Sequence, residues 1–533
     1  MSDIREVELL FLLLLLFIVA FGQLARKIAL PYPIVMIVGG VLLSFIPAIP
    51  QITLDPDLIF LVVLPPLLYA SAWETSWRDF RLNLTSILFL AFGLVGFTVA
   101  GVALLAPRVL SGFDWRLALV LGAVVAPTDA IAATSIAKRI GLPSRIVDVL
   151  EGESLINDAT GLLALEFAIA LVVSGHVPTV GASLLTLAWL IAGGAGLGLL
   201  VGWIVYHVEK RIDDGPIEIA LSILVPYAAY FFADAAHASG VLAVVASGLF
   251  LTRRSPYMFS PSVRLQIQSF WQSFTFVLNG IVFVLIGLQL PFILQSIRGY
   301  SHTQLLLDGA IFSVVLIVLR LAWVYPGSWL ANFVHCRLNH KSEAPPRPRE
   351  VFIIGWTGMR GVLSLAAALA LPKLLDNGSQ FPQRNVIVFL TFSVILVTLV
   401  LQGLTLAPLV RWLGLANAAG PDCEEEEARR IVMEAAVSYL ELAKESRPNV
   451  PGEIIDDIVE HYRHRLASLH PADANPEYVT NHLSYLELSR ETARVERETA
   501  IRLRNEGRIN DQVLRRIERE LDLTESRFDN PEE

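Results

Sequence analysis

Thirteen separate apolar runs, most of them close to twenty residues long, constrain this chain more than any other feature. They cover residues 8–24, 31–50, 57–75, 84–107, 116–137, 147–174, 181–207, 216–235, 239–252, 268–294, 304–335, 350–372 and 385–412. About 20 apolar residues in a helix match the ~30 Å hydrocarbon core of a bilayer. No water reaches that core to satisfy backbone N–H and C=O groups, so such runs have to be helical. The chain is 54% hydrophobic and 17% charged, whereas soluble domains are about a quarter charged. The reading is an all-α membrane protein of about 13 transmembrane helices. The pair 216–235 and 239–252 is the least distinct, because its second run is short; it reads as two spans or as one re-entrant pair. Asp3, Arg5 and Glu6 precede the first run, with no small-residue cleavage site after it, so Leu9–Leu24 reads as a retained span.

Charge gives direction to the spans. With the N-terminus outside, the inner loops carry 16 basic residues, Arg78, Arg145 and Arg254 among them, against 5 in the outer loops. That bias orients the chain N-out and C-in. Residues 421–533 hold 27 acidic and 16 basic side chains. The composition changes near Ala419-Gly420, giving a membrane domain over residues 1–415 and a cytoplasmic helical domain over 416–533. The acidic tail argues against nucleic acid as a partner. Within it, Glu424–Ser446 and Pro476–Leu523 read as helical, with a break at Pro448–Gly452. It suits a regulatory or dimerising module, or equally a solvated helical hairpin. Cys336 and Cys423 form no spacing pattern, so neither a disulfide framework nor a metal cluster is expected. No cofactor motif occurs, and no nucleophile–base pair suggests an enzyme.

Two spans read as interrupted. The fifth contains Ala126-Pro127-Thr128-Asp129-Ala130, and the twelfth Gly355-Trp356-Thr357-Gly358-Met359-Arg360-Gly361. Proline lacks a backbone donor and glycine relaxes the helix. Broken backbone at that depth is tolerated where it lines a protein-buried cavity. The two spans are seven apart and so run in opposite directions, as an inverted repeat of spans 1–6 and 8–13 requires. Matched interruptions of this kind mark transporter binding sites. Crossed half-helices bring like dipole ends together, and Asp129 and Arg360 have the charges to compensate them.

The chemistry centres on Gly152-Glu153-Ser154-Leu155-Ile156-Asn157-Asp158, which is followed by the apolar run to Ser174. An intramembrane carboxylate costs roughly 2.5–3.5 kcal/mol on insertion scales, so a chain that keeps one uses it. Burial disfavours a carboxylate's charged form, so Asp158 is expected to hold either a proton or a cation in alternation. Such competition is by itself an antiport mechanism. Asn157 beside it is neutral, which makes a one-for-one exchange electroneutral. Ser154 lies one turn before Asp158 on the same face. Asp158, Ser154 and Thr128 then form an oxygen-only ligand set for a hard cation. Na+ is the expected cation, with Li+ and K+ left open. Asn157 and Thr128 read alternatively as hydrogen bonders within or between helices. Glu153 cannot share that face and needs its own partner, for which Arg320 in the eleventh span is the candidate; snorkelling of Arg320 to an interface is the alternative. Glu74 is a further candidate, though a surface pair with Arg78 explains it more simply. Asn279 is a candidate for pore or packing contacts.

Together Leu64-Pro65-Pro66, Thr128-Asp129, Gly152-Glu153-Ser154-Leu155 with Asn157-Asp158, and Gly358-Met359-Arg360-Gly361 resemble the cation:proton antiporter-1 family over roughly residues 8–412. The resemblance implies a homodimer in lipid, with a rigid dimerisation part and a mobile core holding the broken helices. It also implies elevator-type alternating access and electroneutral exchange in a plasma membrane. Asp158 would be the ion-binding acid, with Thr128, Ser154 and Asn157 close by, and the Glu153–Arg320 pair has a family counterpart. There is one departure: several relatives carry an acid where this chain has Ala70, and Glu74 lies one turn later. A passive cation channel is the alternative, disfavoured because a single asymmetric pair of interrupted helices does not build a symmetric filter.

Overall fold

The protein is described by a computed structural model, which covers residues 2–47, 55–174, 180–297, 301–339, 347–375, 378–416, 422–446, 451–469, 476–506, 508 and 511–525. The chain divides into two compact units, Met1–Ala419 and Gly420–Glu533.

The first unit is built from α1 (Ser2–Lys27), α2 (Tyr32–Leu43), α3 (Pro56–Glu74), α4 (Trp77–Val109), α5 (Trp115–Val125), α6 (Ala130–Arg139), α7 (Ser144–Ser174) and α8 (Val180–Glu209). There follow α9 (Gly215–Ala235), α10 (Gly240–Arg254), α11 (Pro261–Leu288), α12 (Leu290–Ser296), α13 (His302–Asn339), α14 (Pro348–Trp356), α15 (Val362–Leu369) and α16 (Arg384–Trp412). Each apolar run of the sequence falls mainly on helix, with the longest non-helical stretches at 44–47, 126–129 and 357–361; residues 48–50 of the second run lie outside the described residues. Eight of the described helices are long and apolar enough to cross a membrane. The 239–252 run forms a helix of its own, α10, separated from α9 by a turn at Ala236–Ser239.

Local chemistry accounts for the helix boundaries. Asp114 accepts from Leu117 N–H at 2.9 Å at the start of α5, and Ser239 accepts from Leu242 N–H at 3.3 Å at the start of α10. Pro56, Pro261 and Pro348 sit in the first turns of α3, α11 and α14, where a missing N–H costs nothing. Side chains such as Leu16 on α1, Trp203 on α8 and Val314 on α13 give the unit an exposed apolar outer surface, as membrane-spanning helices require.

Two apolar clusters make the core. One gathers Leu121 of α5, Phe283 of α11, Leu365 of α15 and Leu390 of α16. The other gathers Tyr69 of α3, Val244 of α10 and Trp271 of α11. Helix α7 contributes Leu165 and Ala168 to the first and Leu155, Ile156 and Ala159 to the second, so it joins the two.

The second unit holds four described helices: α17 (Asp422–Ser446), α18 (Gly452–Leu469), α19 (Pro476–Asn505) and α20 (Asp511–Glu525). The segment Glu424–Ser446 is one helix, Pro476–Leu523 is split between α19 and α20, and α18 is an additional helix between them; part of the expected break, residues 448–450, lies outside the described residues. Met433 and Ala443 on α17 and Ile455 and Val459 on α18 are buried. Lys444–Asp456 at 2.6 Å and Arg463–Glu441 at 3.0 Å join α17 to α18. These pairs are exposed and worth no more than ~1 kcal/mol each, so apolar burial supplies most of the cohesion.

Candidate functional site

The fifth and twelfth apolar runs are each two helices. The first breaks between Val125 and Ala130, and the second between Trp356 and Val362. The breaks cross: Asp129 N–H donates to the Met359 carbonyl at 2.8 Å. Each break leaves helix ends without intrahelical partners. At the start of α6 the Asp129 carboxylate accepts from Ile131 N–H at 2.8 Å. At the end of α5 the Arg360 Nε donates to the Val125 carbonyl at 3.1 Å, and its guanidinium also reaches the Gly358 carbonyl. Arg360 is 1% exposed, and its own N–H donates to Thr398 Oγ1 of α16 at 3.2 Å.

The crossing explains two glycines. A Cβ on Gly361 would fall on the Asp129 carboxylate, and one on Gly358 on the Arg320 side chain. Gly361→Ala is therefore expected to lower stability by roughly 1–3 kcal/mol, the usual cost of overpacking. Melting of the purified protein in detergent measures it; an unchanged melting temperature would contradict the close approach.

Helix α7 presents two faces to the crossing. Glu153 and Asn157, four apart, are each 1% exposed and point into protein. Arg320 of α13, also 1% exposed, grips Glu153 in a bidentate pair, with Nη1 to Oε1 at 2.6 Å and Nη2 to Oε2 at 2.9 Å. Arg320 also donates to the carbonyls of Gly355 and Ile354, at 3.2 and 3.1 Å. It thereby closes the end of α14 as well as neutralising Glu153. Asn157 Nδ2 donates to Thr128 Oγ1 at 2.6 Å, and Thr128 Oγ1 donates to Glu153 Oε1 at 3.0 Å. A continuous buried chain thus runs Asn157–Thr128–Glu153–Arg320. Sequence reading does not connect Thr128 to Glu153, because the contact joins residues of different helices with no shared period.

The other face of α7 carries Glu151, Ser154 and Asp158 onto a cavity of ≈ 440 Å³. Thr128, Asp129, Glu74 and Asn279 also line it, and so does Ala70, which brings only a methyl group. Asn157, Glu153, Arg320 and Arg360 are not on its wall. The candidates therefore divide into those facing the cavity and those bracing the crossing behind it. Glu74, at the end of α3, is exposed.

Several lining residues escape a reading of the sequence. Tyr32 and Ser364 offer no signal beyond a lone polar atom in an apolar helix. Glu151 is seven residues before Asp158 and shares its face, so the helical period could have found it. Gln272 and Thr275 lie on one stripe of α11 with the candidate Asn279, and the same period would have exposed them. Three buried polar atoms at the site have no hydrogen-bond partner among the described residues: Asn157 Oδ1, Asn279 Oδ1 and Ser364 Oγ. No group of three or more His, Cys, Asp or Glu suited to a metal ion occurs among the described residues. The cavity wall offers instead the Asp158 and Asp129 carboxylates in the crossing, Glu74 and Glu151 elsewhere on the wall, and neutral hydroxyl and amide groups between them.

A helical membrane unit with two crossed, broken helices around a carboxylate-lined cavity is the architecture of a secondary transporter. The chain belongs to the sodium/hydrogen exchanger family: the model of that family's transmembrane domain matches residues 12–412. A protein of Mycobacterium tuberculosis described as an uncharacterized Na(+)/H(+) exchanger is 35% identical over 508 residues, covering 94% of this chain and 92% of the relative. A sodium, potassium, lithium and rubidium/H(+) antiporter of Bacillus pumilus is 31% identical over 478 residues, 87% of this chain and 70% of the relative. The solved sodium proton antiporter MjNhaP1 of Methanocaldococcus jannaschii has a similar fold, with a TM-score of 0.61 at 18% identity over 78% of this chain and 99% of that one.

Proposed function

We propose that this protein exchanges Na+ for H+ across a bacterial plasma membrane, and that Asp158 binds the two ions in competition. The observation that carries this reading is the position of Asp158 on the cavity wall beside the crossed helix breaks. The two acids nearest it in the crossing have other partners: Glu153 holds Arg320, and Asp129 caps α6. Asp158 is thus available for the cargo. A carboxylate loaded with either Na+ or H+ is neutral, while the empty form is charged and costly at bilayer depth. Only loaded forms then cross, which couples the two fluxes and makes the exchange electroneutral. Ser154 and a Thr128 carbonyl supply further oxygens, since the Thr128 hydroxyl is occupied by Glu153 and Asn157. Li+ and K+ compete for the same set, in keeping with the range of cations for which the B. pumilus relative is named.

With the N-terminus outside, the cavity opens to the cytoplasm, because Glu74 and Glu151 stand toward that end. We take this as an inward-open state of an elevator cycle in a homodimer, with α5, α6, α14 and α15 in the moving part and residues 416–533 in the cytoplasm. Proteoliposomes carrying an internal pH dye test the reading. External Na+ should alkalinise the lumen, and clamping the voltage should not change the rate. Voltage-dependent flux without proton movement would instead identify a passive channel.

Asp129 and Arg360 act as counter-charges to the half-helix ends. Asp129→Ala removes a cap worth ~0.5–2 kcal/mol. It should lower both the melting temperature and the turnover number. If neither moves, the role is wrong.

A further inference from the structure

Resting on that reading, we infer that the Ser364 hydroxyl and the Asn279 carboxamide oxygen are additional ligands of the cation at Asp158, and that they set which alkali cation the site prefers. Ser364 is 1% exposed, lines the same cavity as Asp158, and its Oγ has no partner among the described residues. Other buried hydroxyls of the unit behave differently. Ser313 donates to the Gly309 carbonyl at 2.7 Å, Thr391 to Ile387 at 2.8 Å, and Thr398 to Val394 at 2.7 Å, each four residues back along its own helix. For Ser364 the residue four back is Arg360, which lies in the break before α15 begins at Val362. The interruption therefore denies this hydroxyl its usual acceptor, on a residue that lines the cavity. A buried hydroxyl without a partner is unfavourable, so an occupant of the cavity that engages it is stabilised.

Asn279 of α11 repeats the pattern. It is 5% exposed, lines the cavity, and its Oδ1 has no partner among the described residues. Its side chain also hydrogen-bonds Tyr32 of α2, and the oxygen is the part of the carboxamide left over. A hard cation takes several oxygen ligands, and Asp158, Ser154 and Thr128 all approach from the α6–α7 side. Ser364 on α15 and Asn279 on α11 complete the shell from two further helices. Both are neutral, so they add coordination without altering the one-carboxylate charge balance. Their distances from the carboxylate fix the size of the shell, and hence the discrimination among Na+, Li+ and K+.

The test compares wild type with Ser364→Ala, Ser364→Thr and Asn279→Leu in proteoliposomes, using Na+, Li+ and K+ salts. Ser364→Ala and Asn279→Leu should each raise KM for Na+ roughly tenfold, the worth of one charge-assisted contact. Maximal rate should stay largely intact and the order of the three cations should change. Ser364→Thr keeps the oxygen and should restore KM. In detergent, Na+-dependent thermal stabilisation should move to higher Na+ by the same factor, which holds the inference open to refutation even where a variant transports poorly. Unchanged KM and cation order in both variants, with the wild type exchanging normally, would overturn the inference alone; so would Ser364→Thr as impaired as Ser364→Ala. A wild type with no Na+-dependent proton movement would instead overturn the exchange reading and this inference with it.

Discussion

Asp158→Asn should abolish Na+-driven proton movement while leaving the protein folded. The substitution keeps shape and hydrogen-bonding capacity and removes only the charge that binds a cation and the acid that carries a proton. Two unit charges 4 Å apart at an effective dielectric of 20 attract by about 4 kcal/mol. Losing that attraction weakens cation binding by nearly three decades. The amide also cannot release a proton, so the exchange fails in both directions. Stability should hold or improve, because a deep carboxylate is expensive to keep. Dye-loaded proteoliposomes and a melting curve in detergent give the two readouts. Exchange above background in a folded Asp158→Asn protein would end the competition mechanism. Collapse of the fold would instead make Asp158 a structural acid.

Breaking the Glu153–Arg320 pair should have the largest effect on stability. Both side chains are 1% exposed and doubly hydrogen-bonded to each other. Removing one partner of such a pair costs roughly 3–5 kcal/mol, because the other charge stays buried and unpaired. Arg320→Leu also strips a donor from the Gly355 and Ile354 carbonyls at the end of α14. It should therefore be worse than Glu153→Gln. Glu153→Gln in turn disturbs the acceptor of Thr128 and should slow exchange as well as lower melting. The double variant Glu153→Gln/Arg320→Leu should melt above Arg320→Leu alone, since no buried carboxylate is then left unmatched. Strictly additive losses in the double-mutant cycle would contradict direct coupling.

Much of the architecture is legible before any coordinates. Apolar length against bilayer thickness marks the helices, since hydrocarbon allows few other backbone solutions. Pro127 marks one interruption and Gly358 and Gly361 the other, because a missing donor or a missing side chain acts locally. The helical period sets Ser154 and Asp158 on one face of α7. Less legible is the neighbourhood of those residues. Asn157 adjoins Asp158 in the chain, yet one residue turns a helix by about 100°, and its amide serves Thr128 behind the cavity. Tyr32, Gln272, Thr275 and Ser364 reach the cavity from helices remote in sequence, where a single hydroxyl or amide looks like ordinary packing. The tail shows the same limit: its helical composition is plain, but its division into four helices is not.

By itself, the amino-acid sequence determined that this chain is a membrane bundle with two interrupted helices and acids at bilayer depth, because solvent exclusion and backbone chemistry act residue by residue. Tertiary structure alone decided that Asn157 braces Thr128 behind the cavity and that Tyr32, Gln272, Thr275 and Ser364 reach its wall, since those contacts join helices that share no sequence period.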